Sequence, residues 1–336
     1  MTTDSVALVP PGRPPYLTDE HELPHPIAAE ALWSENYLSG ACFPEAGVGV
    51  WLHFCRRPDA PEIWEEVVAI SLPGGAMLVA RGATSIGDDR SGPVGPGLTY
   101  RCVRPFEEWH KRFRGTARLA STAELLGGPL PDGPSIPVDL DLTWSARGEA
   151  FDMDMSRQTW ASVKSHYQQH CAVSGTLRYD DVRIELVGTG MRDHSWGPRD
   201  LARLGDHMWT YGQFPSGRQF MVFQHVGPDG SDLVHVNYDD GDGLREGRLD
   251  VAPPTPRDPE RAMEPYELTF VGEGDASFTV EAEILGAMPM SIAGLAEFTF
   301  GLGGSGTHHR LFECPTRFRW KGETGQGISE WTQVIR

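Results

Sequence analysis

Most of the chain alternates between hydrophobic and polar positions over short stretches that end at glycine, proline or aspartate. Stretches such as VGVWLHFCRRP and PVDLDLTWSARG have strand length, and the glycine pair in LPGGAML predicts a hairpin. In the second half, the turn signals YDD, PSGR, PDGS and DDGDG recur at spacings of roughly 8–12 residues. This spacing is typical of antiparallel sandwiches and barrels. Alternating strand and helix patterns are absent, which argues against Rossmann and TIM-barrel folds.

The length of 336 residues exceeds what a single hydrophobic core usually supports, which predicts two domains. We expect a flexible, proline-rich arm over residues 1–20, a first β domain over 21–187 and a second over 188–336. Few short helices are expected. The candidates are AAEALWSENYLSG (28–40), which is long enough for two helical turns, and MSRQTWASVKSHYQQH (155–170), which has apolar residues at helical spacing.

Two strands of the second half carry polar groups on both of their faces. In HMWTYGQF, Trp209 and Tyr211 share a face with other polar side chains, and in DLVHVNYDD, His235 and Asp239 share one face while Tyr238 lies on the other. This pattern favours a barrel whose interior is a cavity with polar groups, and these five residues are candidates for substrate binding. A two-sheet sandwich with an imperfect pattern is about equally consistent with the periodicity.

The composition narrows the class of protein. A hydrophobic content of 39% with 10 tryptophans is typical of a globular protein, and a net charge of -18 argues against binding to nucleic acid or anionic lipid. Five cysteines without a CxxC pair argue against a disulfide framework and a thiolate zinc site. Without a basic, apolar leader or a long apolar run, we expect a cytoplasmic protein that does not insert into membranes.

The segment GMRDHSWGPRD (190–200) has the densest mixture of charged and aromatic residues. As a strand it places Arg192, His194 and Trp196 on one face and Asp193 and Ser195 on the other, until Gly-Pro ends it. Aspartate and histidine can exchange protons, and an indole ring can stabilise a cation. Such a segment can equally form a buried salt-bridge lattice that fixes the junction between two domains.

Near the C-terminus, Glu330 shares a strand face with apolar neighbours in GQGISEW. Burial would favour the neutral carboxyl and make it a proton donor, although a solvated glutamate at a sheet edge fits the pattern as well. His207, His225 and His235 stand on separate strands without ligand spacing, and no phosphate or dinucleotide motif occurs. We therefore expect no metal site and no cofactor.

Residues 188–200 also resemble a known signature. They fill every position of GxGxRDHSWGxRD, which marks the lipocalin-like superfamily of carotenoid 1,2-hydratase (hydroxyneurosporene synthase) and the AttH-like proteins. GQGISEW is similar to the terminal strand of that superfamily, and residues 35–75 are similar in layout, so the resemblance covers most of the chain. It implies an all-β fold of two lipocalin-like antiparallel barrel or sandwich domains, with the motif near their junction and a ligand cavity close by.

The resemblance also implies chemistry. Activities in the superfamily include hydration of isoprenoid double bonds and, in fungal relatives, cyclisation of polyenes in a decalin-forming Diels–Alder reaction. In the hydratases the motif histidine and tryptophan act with a downstream tyrosine and aspartate. By position this implies roles for His194 and Trp196, and for Tyr238 with Asp239 or Asp240.

These observations lead to the hypothesis of a cofactor-independent hydratase or dehydratase. Asp193 or Glu330 would protonate a carbon–carbon double bond of an isoprenoid or polyketide-like substrate, and His194 would orient or deprotonate the attacking water. His194 and Trp196 are expected on the ligand side of the strand, with Asp193 joining the domains. A polyene cyclase and a non-catalytic carrier of a lipophilic molecule are the alternatives. The expected partner is a small hydrophobic substrate, and the sequence does not indicate the oligomeric state.

Overall fold

A computed structural model describes residues 13–88, 90–153, 165–227, 230, 232–252 and 259–335. They form two antiparallel sheets. The first sheet contains β1 (Trp33–Phe43), β2 (Val48–Arg56), β3 (Ile63–Ser71), β4 (Ala76–Ser85), β5 (Leu98–Arg104), β6 (Glu108–Ser121), β7 (Ser135–Ala146), β8 (Phe151–Asp152), β9 (Ser165–Tyr179) and β10 (Val182–Pro198). The second contains β11 (Asp206–Gln213), β12 (Gln219–Val226), β13 (Asp232–Asp239), β14 (Arg245–Val251), β15 (Tyr266–Val271), β16 (Ser277–Ile284), β17 (Met288–Ala293), β18 (Glu297–Phe300), β19 (Thr307–Trp320) and β20 (Glu323–Val334).

Helices are short. The described residues contain one α-helix, α1 (Thr122–Gly127), and 3-10 helices at Asp19–Glu22, Pro73–Gly75, Leu201–Arg203, Pro259–Met263 and Glu273–Asp275. Within the described ranges, no helix has the length and apolar character needed to cross a membrane.

Each sheet closes on itself. In the first, the pairing runs β10-β1-β2-β3-β4-β6-β7-β9 and returns to β10, and in the second it runs β11-β12-β13-β14-β15-β16-β19-β20 and returns to β11. Both rings therefore have eight strands, and closure pairs the backbone groups that an open edge would leave free. The prediction of an all-β chain with two lipocalin-like barrels is confirmed.

Apolar side chains fill both barrels. Val50, Leu52 and Phe54 of β2 belong to the core of the first barrel, and Phe270 of β15 and Phe318 of β19 belong to the core of the second. The interiors are thus packed, mainly by apolar side chains and, in the first barrel, also by buried polar ones such as Lys111, so the sequence-based expectation of a polar-lined cavity inside a barrel is wrong.

The outer faces of the strands are buried as well, because the barrels pack side by side. Trp51, which points outward from β2, packs with Met290 and Leu311 of the second barrel. Cys55, four residues further along β2, shares a second cluster with Trp209 and with other side chains of the second barrel. Strands at this interface are buried on both faces, which is why HMWTYGQF shows no clean polar side.

The predicted domain boundary at residues 187 and 188 falls inside a strand. β10 pairs with β1 from Trp33 to Cys42 and with β9 along nearly its whole length, so residues 188–198 belong to the first barrel. The chain passes to the second barrel between Pro198 and Asp206, through the 3-10 helix at Leu201–Arg203. The boundary lies further along the chain because the motif completes the last strand of the first barrel and does not begin the second domain.

The predictions for the N-terminal arm and the helices also need correction. Of the predicted flexible arm, residues 13–20 are described, and Leu17 in them is 2% exposed and packs against Trp196. The stretch 28–40 forms no α-helix, since β1 begins at Trp33. In the helix predicted over 155–170, residues 155–164 lie outside the described residues, and 165–170 begin β9.

Glu22 anchors the N-terminal segment to the first barrel. Its fully buried carboxylate accepts hydrogen bonds from Arg192 Nη1 (2.7 Å) and Nη2 (3.0 Å), Trp109 Nε1 (2.7 Å), the Phe106 amide (2.9 Å) and the Tyr167 hydroxyl. Burial alone would raise the pKa of Glu22, but the Arg192 guanidinium and the other donors lower it below its ordinary value. The carboxylate is therefore ionised and bidentate with arginine.

We predict that Arg192→Met destabilises the fold by about 3–5 kcal/mol, because it leaves the Glu22 carboxylate buried without its counter-charge. The measurement is the free energy of unfolding in urea. The matched control is Arg104→Met, which removes an arginine from an exposed pair with Glu107 and should leave stability nearly unchanged. Equal stability of the two variants would contradict the anchoring role of Arg192.

Candidate functional site

A cavity of about 120 Å³ lies between the outer faces of the two barrels. Its walls are mostly apolar and come from both barrels, with Leu38 on β1, Trp209 on β11, Phe223 on β12, Phe298 on β18 and Leu311 on β19. A cavity of roughly this size is known to admit a benzene ring. The space therefore suits a small hydrophobic group, such as an aromatic ring or a short branched alkenyl chain.

Strand pairing brings three side chains of the second barrel into one row at the cavity. Trp209 on β11 lies opposite Glu330 on β20, and Glu330 lies opposite Glu313 on β19. Directly opposed residues of antiparallel strands share a face and have Cβ atoms roughly 4.5–5.5 Å apart. Two carboxyl groups and an indole ring are thus neighbours in one wall of the cavity.

Glu330 is paired with His207. The distance from His207 Nε2 to Glu330 Oε1 is 2.5 Å, and the two side chains are 11% and 8% exposed. The other ring nitrogen, His207 Nδ1, is buried and has no hydrogen-bond partner in the part of the chain that the structure describes. A neutral imidazole that donates Nε2–H to the carboxylate keeps its lone pair on Nδ1, where it can accept a proton.

Glu313 is held differently. It is 1% exposed, and neither of its carboxyl oxygens has a partner with hydrogen-bond geometry among the described residues, although the Glu330 carboxyl and the Trp51 indole N–H lie nearby. Burial, followed by the nearby Glu330 carboxyl, raises the pKa of Glu313 well above its ordinary value. Glu313 therefore keeps its proton near neutral pH and can donate it.

The first barrel contributes the opposite wall. Asp193 of β10 lies opposite Leu38 of β1, which lies opposite His53 of β2. His166 Nε2 is 3.5 Å from Asp193 Oδ2, so this wall has a carboxylate and imidazole pair of its own. Burial lowers the pKa of His53 to about 3, which keeps that imidazole neutral.

Polar atoms without partners gather around this cavity. Buried atoms that have no hydrogen-bond partner in the described structure include Trp51 Nε1, His53 Nδ1, His207 Nδ1, Thr332 Oγ1 and both carboxyl oxygens of Glu313, and all of these residues line the cavity. Leaving such a group unsatisfied costs about 1–3 kcal/mol. Their concentration at one place indicates a site that binds a polar ligand group or water.

The motif face with Arg192, His194 and Trp196 points away from the cavity. His194 contacts the His21 carbonyl oxygen through Nδ1 (2.9 Å) and Glu35 Oε1 through Nε2 (3.0 Å), and Trp196 stacks on His25 at 3.9 Å between ring centroids. The predicted separation of the motif into two faces is correct. The face expected at the ligand was that of His194 and Trp196, but it is Asp193 and Ser195 that line the cavity.

Of the five residues that the sequence predicts for substrate binding, two lie at the cavity or at the interface between the barrels, and three lie elsewhere. Trp209 lines the cavity and donates to Gln168 Oε1 at 3.2 Å, and Tyr211 is buried at the interface with its hydroxyl on the Gly40 carbonyl oxygen at 2.9 Å. The remaining three lie elsewhere. His235 lines a separate groove, Tyr238 is in the core of the second barrel, and Asp239 accepts hydrogen bonds from two turn amides after β13.

Sequence reasoning missed Glu313 and set His207 aside. The available signal for Glu313 was its isolation in LFEC, a charged residue within an apolar strand, on the face it shares with Leu311. His207 has no metal-ligand spacing in the sequence, and no local pattern predicts its role. Its pairing with Glu330 depends on the contact between β11 and β20, two strands that are far apart in the sequence.

Away from the cavity, one group of side chains has the residue types and spacing of a metal site. Among the described residues, His25, Glu35 and His194 form a group whose ligand atoms all lie within 4.8 Å of one another. His207, His225 and His235, which the sequence analysis considered, do not converge in this way; His225, for example, accepts the Gly205 amide at 3.0 Å.

Comparison with known proteins places the chain in a family. A family model described as a domain of unknown function, DUF7064, matches residues 18–335. The chain belongs to this family. No curated protein has a significantly similar sequence.

Solved structures share the fold of this DUF7064 protein. A putative AttH from Nitrosomonas europaea is 15% identical, with a TM-score of 0.56 over 92% of this chain and 95% of that one. CghA, solved with Sch210972, is 15% identical, with a TM-score of 0.52 over 90% and 88%. Kievitone hydratase from Nectria haematococca is 12% identical, with a TM-score of 0.51 over 89% and 88%. At these identities the likeness shows the fold alone.

We predict that Glu313→Gln stabilises the protein at neutral pH. Because the folded pKa of Glu313 lies above its unfolded value of 4.5, folding takes up a proton, and the wild type loses stability as the pH rises from that value toward the folded pKa. The stability advantage of the variant should be small at about pH 4 and grow with pH. Urea unfolding over a pH series measures it.

Glu283→Gln is the control for this series. Glu283 is a surface glutamate that pairs with Arg317, and its replacement should not give an advantage that grows with pH. A difference between Glu313→Gln and the wild type that is independent of pH would contradict the raised pKa of Glu313.

Proposed function

We propose that the protein is an acid–base hydratase or dehydratase that adds water to, or removes it from, a carbon–carbon double bond of a small hydrophobic substrate. One observation carries this proposal: the buried carboxyl of Glu313, whose pKa is raised by burial, lies directly opposite Glu330, which is paired with His207, in an apolar cavity. Two carboxyl groups in different environments are a common arrangement for an acid and a base. In this proposal the acid is Glu313, in place of Asp193 or Glu330.

Hydration would start at Glu313. The acid gives its proton to one alkene carbon, and the π electrons form the new C–H bond and leave a cation at the other carbon. Water attacks that carbon, and His207 Nδ1 accepts a proton from it while Glu330 stabilises the imidazolium. The imidazolium then gives its Nδ1 proton to water, and Glu313 takes up a proton from water, so both groups return to their starting states. The substrate gains one water molecule without oxidation or reduction, and dehydration follows the same steps in reverse.

The cation intermediate needs help in an apolar cavity. Trp209, Trp51 and Phe223 line the space and offer aromatic faces, each worth about 0.5–2 kcal/mol to a desolvated cation. Asp193 on the opposite wall offers a carboxylate. A negative group preorganised near developing positive charge lowers the barrier more than it would in water.

Proteins of similar fold support this class of reaction. Kievitone hydratase is a hydratase by name, and CghA binds the small molecule Sch210972. The signature at 188–200 resembles that of the carotenoid 1,2-hydratase superfamily. With the apolar walls of the cavity, these likenesses support an isoprenoid or polyketide-like substrate.

Two other functions would require less of the site. A cyclase that folds a polyene needs shape and one hydrogen-bond donor, and a carrier needs only an apolar space. Neither requires a neutral carboxyl beside a carboxylate and imidazole pair. The buried Glu313 therefore favours a reaction that moves protons.

We predict that Glu313→Gln and Glu330→Gln each lower kcat by roughly 10²–10⁴-fold, because each removes one half of the acid–base pair. The substrate or product that copurifies with the full chain is extracted into organic solvent and identified by mass. It is then incubated with fresh enzyme in ¹⁸O-labelled water. Oxygen from the solvent should appear in the hydrated product, and exchange should fall with kcat in both variants.

Glu323→Gln is the matched control on β20. Glu323 pairs with Arg218 and does not line the cavity, so this variant should keep wild-type turnover. Conversion without solvent oxygen would indicate a cyclase, and an extracted molecule that fresh enzyme leaves unchanged would indicate a carrier. Wild-type turnover by Glu313→Gln would contradict its role as the acid.

A further inference from the structure

A second cluster lies on the face of β10 that points away from the cavity. His25 Nδ1 is 2.8 Å from Glu35 Oε1, and His194 Nε2 is 3.0 Å from the same oxygen. The three residues come from the segment before β1, from β1 and from β10. The tertiary structure therefore brings together two imidazoles and a carboxylate that are distant in sequence.

The hydrogen bonds of His194 fix which nitrogen carries its proton. Nδ1 is 2.9 Å from the His21 carbonyl oxygen, which can only accept, so Nδ1 is the N–H donor. In the neutral ring the Nε2 lone pair then faces the Glu35 carboxylate. Two acceptors at this distance repel each other unless a cation lies between them. Histidines that bind metals usually donate their other N–H to a carbonyl or carboxylate in this way.

Glu35 and the two rings are held in place from outside the cluster. Glu35 Oε2 accepts Arg56 Nη1 at 2.7 Å, and Oε1 accepts the His25 amide at 2.9 Å. Trp196 stacks on His25, with ring centroids 3.9 Å apart, and Tyr37 stacks on His194 at 3.7 Å. The rings have little freedom to turn away, so the donor atoms are preorganised.

We propose that His25, Glu35 and His194 bind a divalent transition-metal ion of the Zn²⁺ class. Two imidazoles and one carboxylate match the ligands that Zn²⁺ takes in sites with three protein ligands. Bond lengths of 2.0–2.2 Å in a tetrahedron put neighbouring ligand atoms about 3.3 Å apart, so each imidazole nitrogen needs to move away from Glu35 Oε1 by only a few tenths of an ångström.

The site has a route to solvent. The side chains of Glu35 and His194 are fully buried, but that of His25 is 18% exposed and borders a groove of about 470 Å³ lined also by Arg56 and Trp64. A water molecule in the groove could take the fourth coordination position. The positive charge of Arg56 lowers the affinity of the site for a cation. A proton on His194 Nε2 competes with the metal ion for the position between His194 and Glu35.

This metal site is independent of the proposed reaction. It lies on the other side of β10 from Asp193 and joins the N-terminal segment to β1 and β10 through one ion. Metal binding that orders a segment contributes to folding free energy, so the ion would reinforce the attachment that Glu22 and Arg192 make nearby. It also gives His194 and Trp196 a role outside the cavity.

The test uses the full chain, stripped with a chelator and dialysed. Titration with Zn²⁺ in a calorimeter should show one equivalent bound, and Co²⁺ should give the visible absorption of a tetrahedral site. His25→Ala should weaken binding by roughly tenfold or more, since it removes one ligand. His110→Ala is the control, because His110 is not part of this cluster and pairs with Asp141 near the surface. The Zn²⁺ affinity of this variant should equal that of the wild type.

His25→Cys separates the loss of a ligand from damage to the fold. It should retain Co²⁺ and add a thiolate-to-cobalt charge-transfer band, because cysteine supplies a new ligand at the same place. Circular dichroism checks that every variant is folded. Folded wild type that binds no Zn²⁺ or Co²⁺, or equal affinities of His25→Ala and the wild type, would overturn the proposal. A failed hydration assay bears only on the cavity and leaves this test unaffected.

Discussion

The eight strands of each closed ring are paired along both edges, so the two barrels pack against each other mainly through the outward faces of their strands. In a small barrel, side chains already fill the inside. The strands at the contact therefore become buried on both faces, and any polar residue on an outward face is taken out of water. Because the interface is built from such strands, it can hold Glu313, Glu330 and Asp193 in an apolar environment that a barrel surface exposed to solvent could not provide.

β10 separates two kinds of buried polar group. On one face, the charges have partners: Arg192 is bidentate with Glu22, and Arg56 donates to Glu35. On the other face, the cavity wall includes groups that have none among the described residues, with Glu313 the clearest case. Satisfied networks hold a structure together, whereas unsatisfied groups reduce its stability unless a ligand uses them. This contrast is the physical reason for placing the reaction on the Asp193 side and attachment of the N-terminal segment on the His194 side.

The sequence predicts some of this and not the rest. The family resemblance implies two lipocalin-like domains, and period-two alternation predicts the strands and the two faces of the motif. It could not tell which face meets the cavity, because alternation identifies the inside of a sheet only when the outside is polar, and here both sides are buried. The misplaced boundary has the same origin: residues 188–198 stay in the first barrel through pairing with β1, which begins at Trp33. Contacts between strands so distant in sequence are not visible in local periodicity.

Glu330 shows where sequence reasoning about a site reaches its limit. Its place on an apolar face was visible in GQGISEW, but a carboxyl becomes an acid or part of a base through its neighbours. Those neighbours come from β19, which places Glu313 opposite, and from β11, which supplies His207. Of two adjacent glutamates, the one that gains a partner can stay ionised, and its charge then favours the proton on the other. The division of roles within the pair therefore follows from the order of strands around the second barrel.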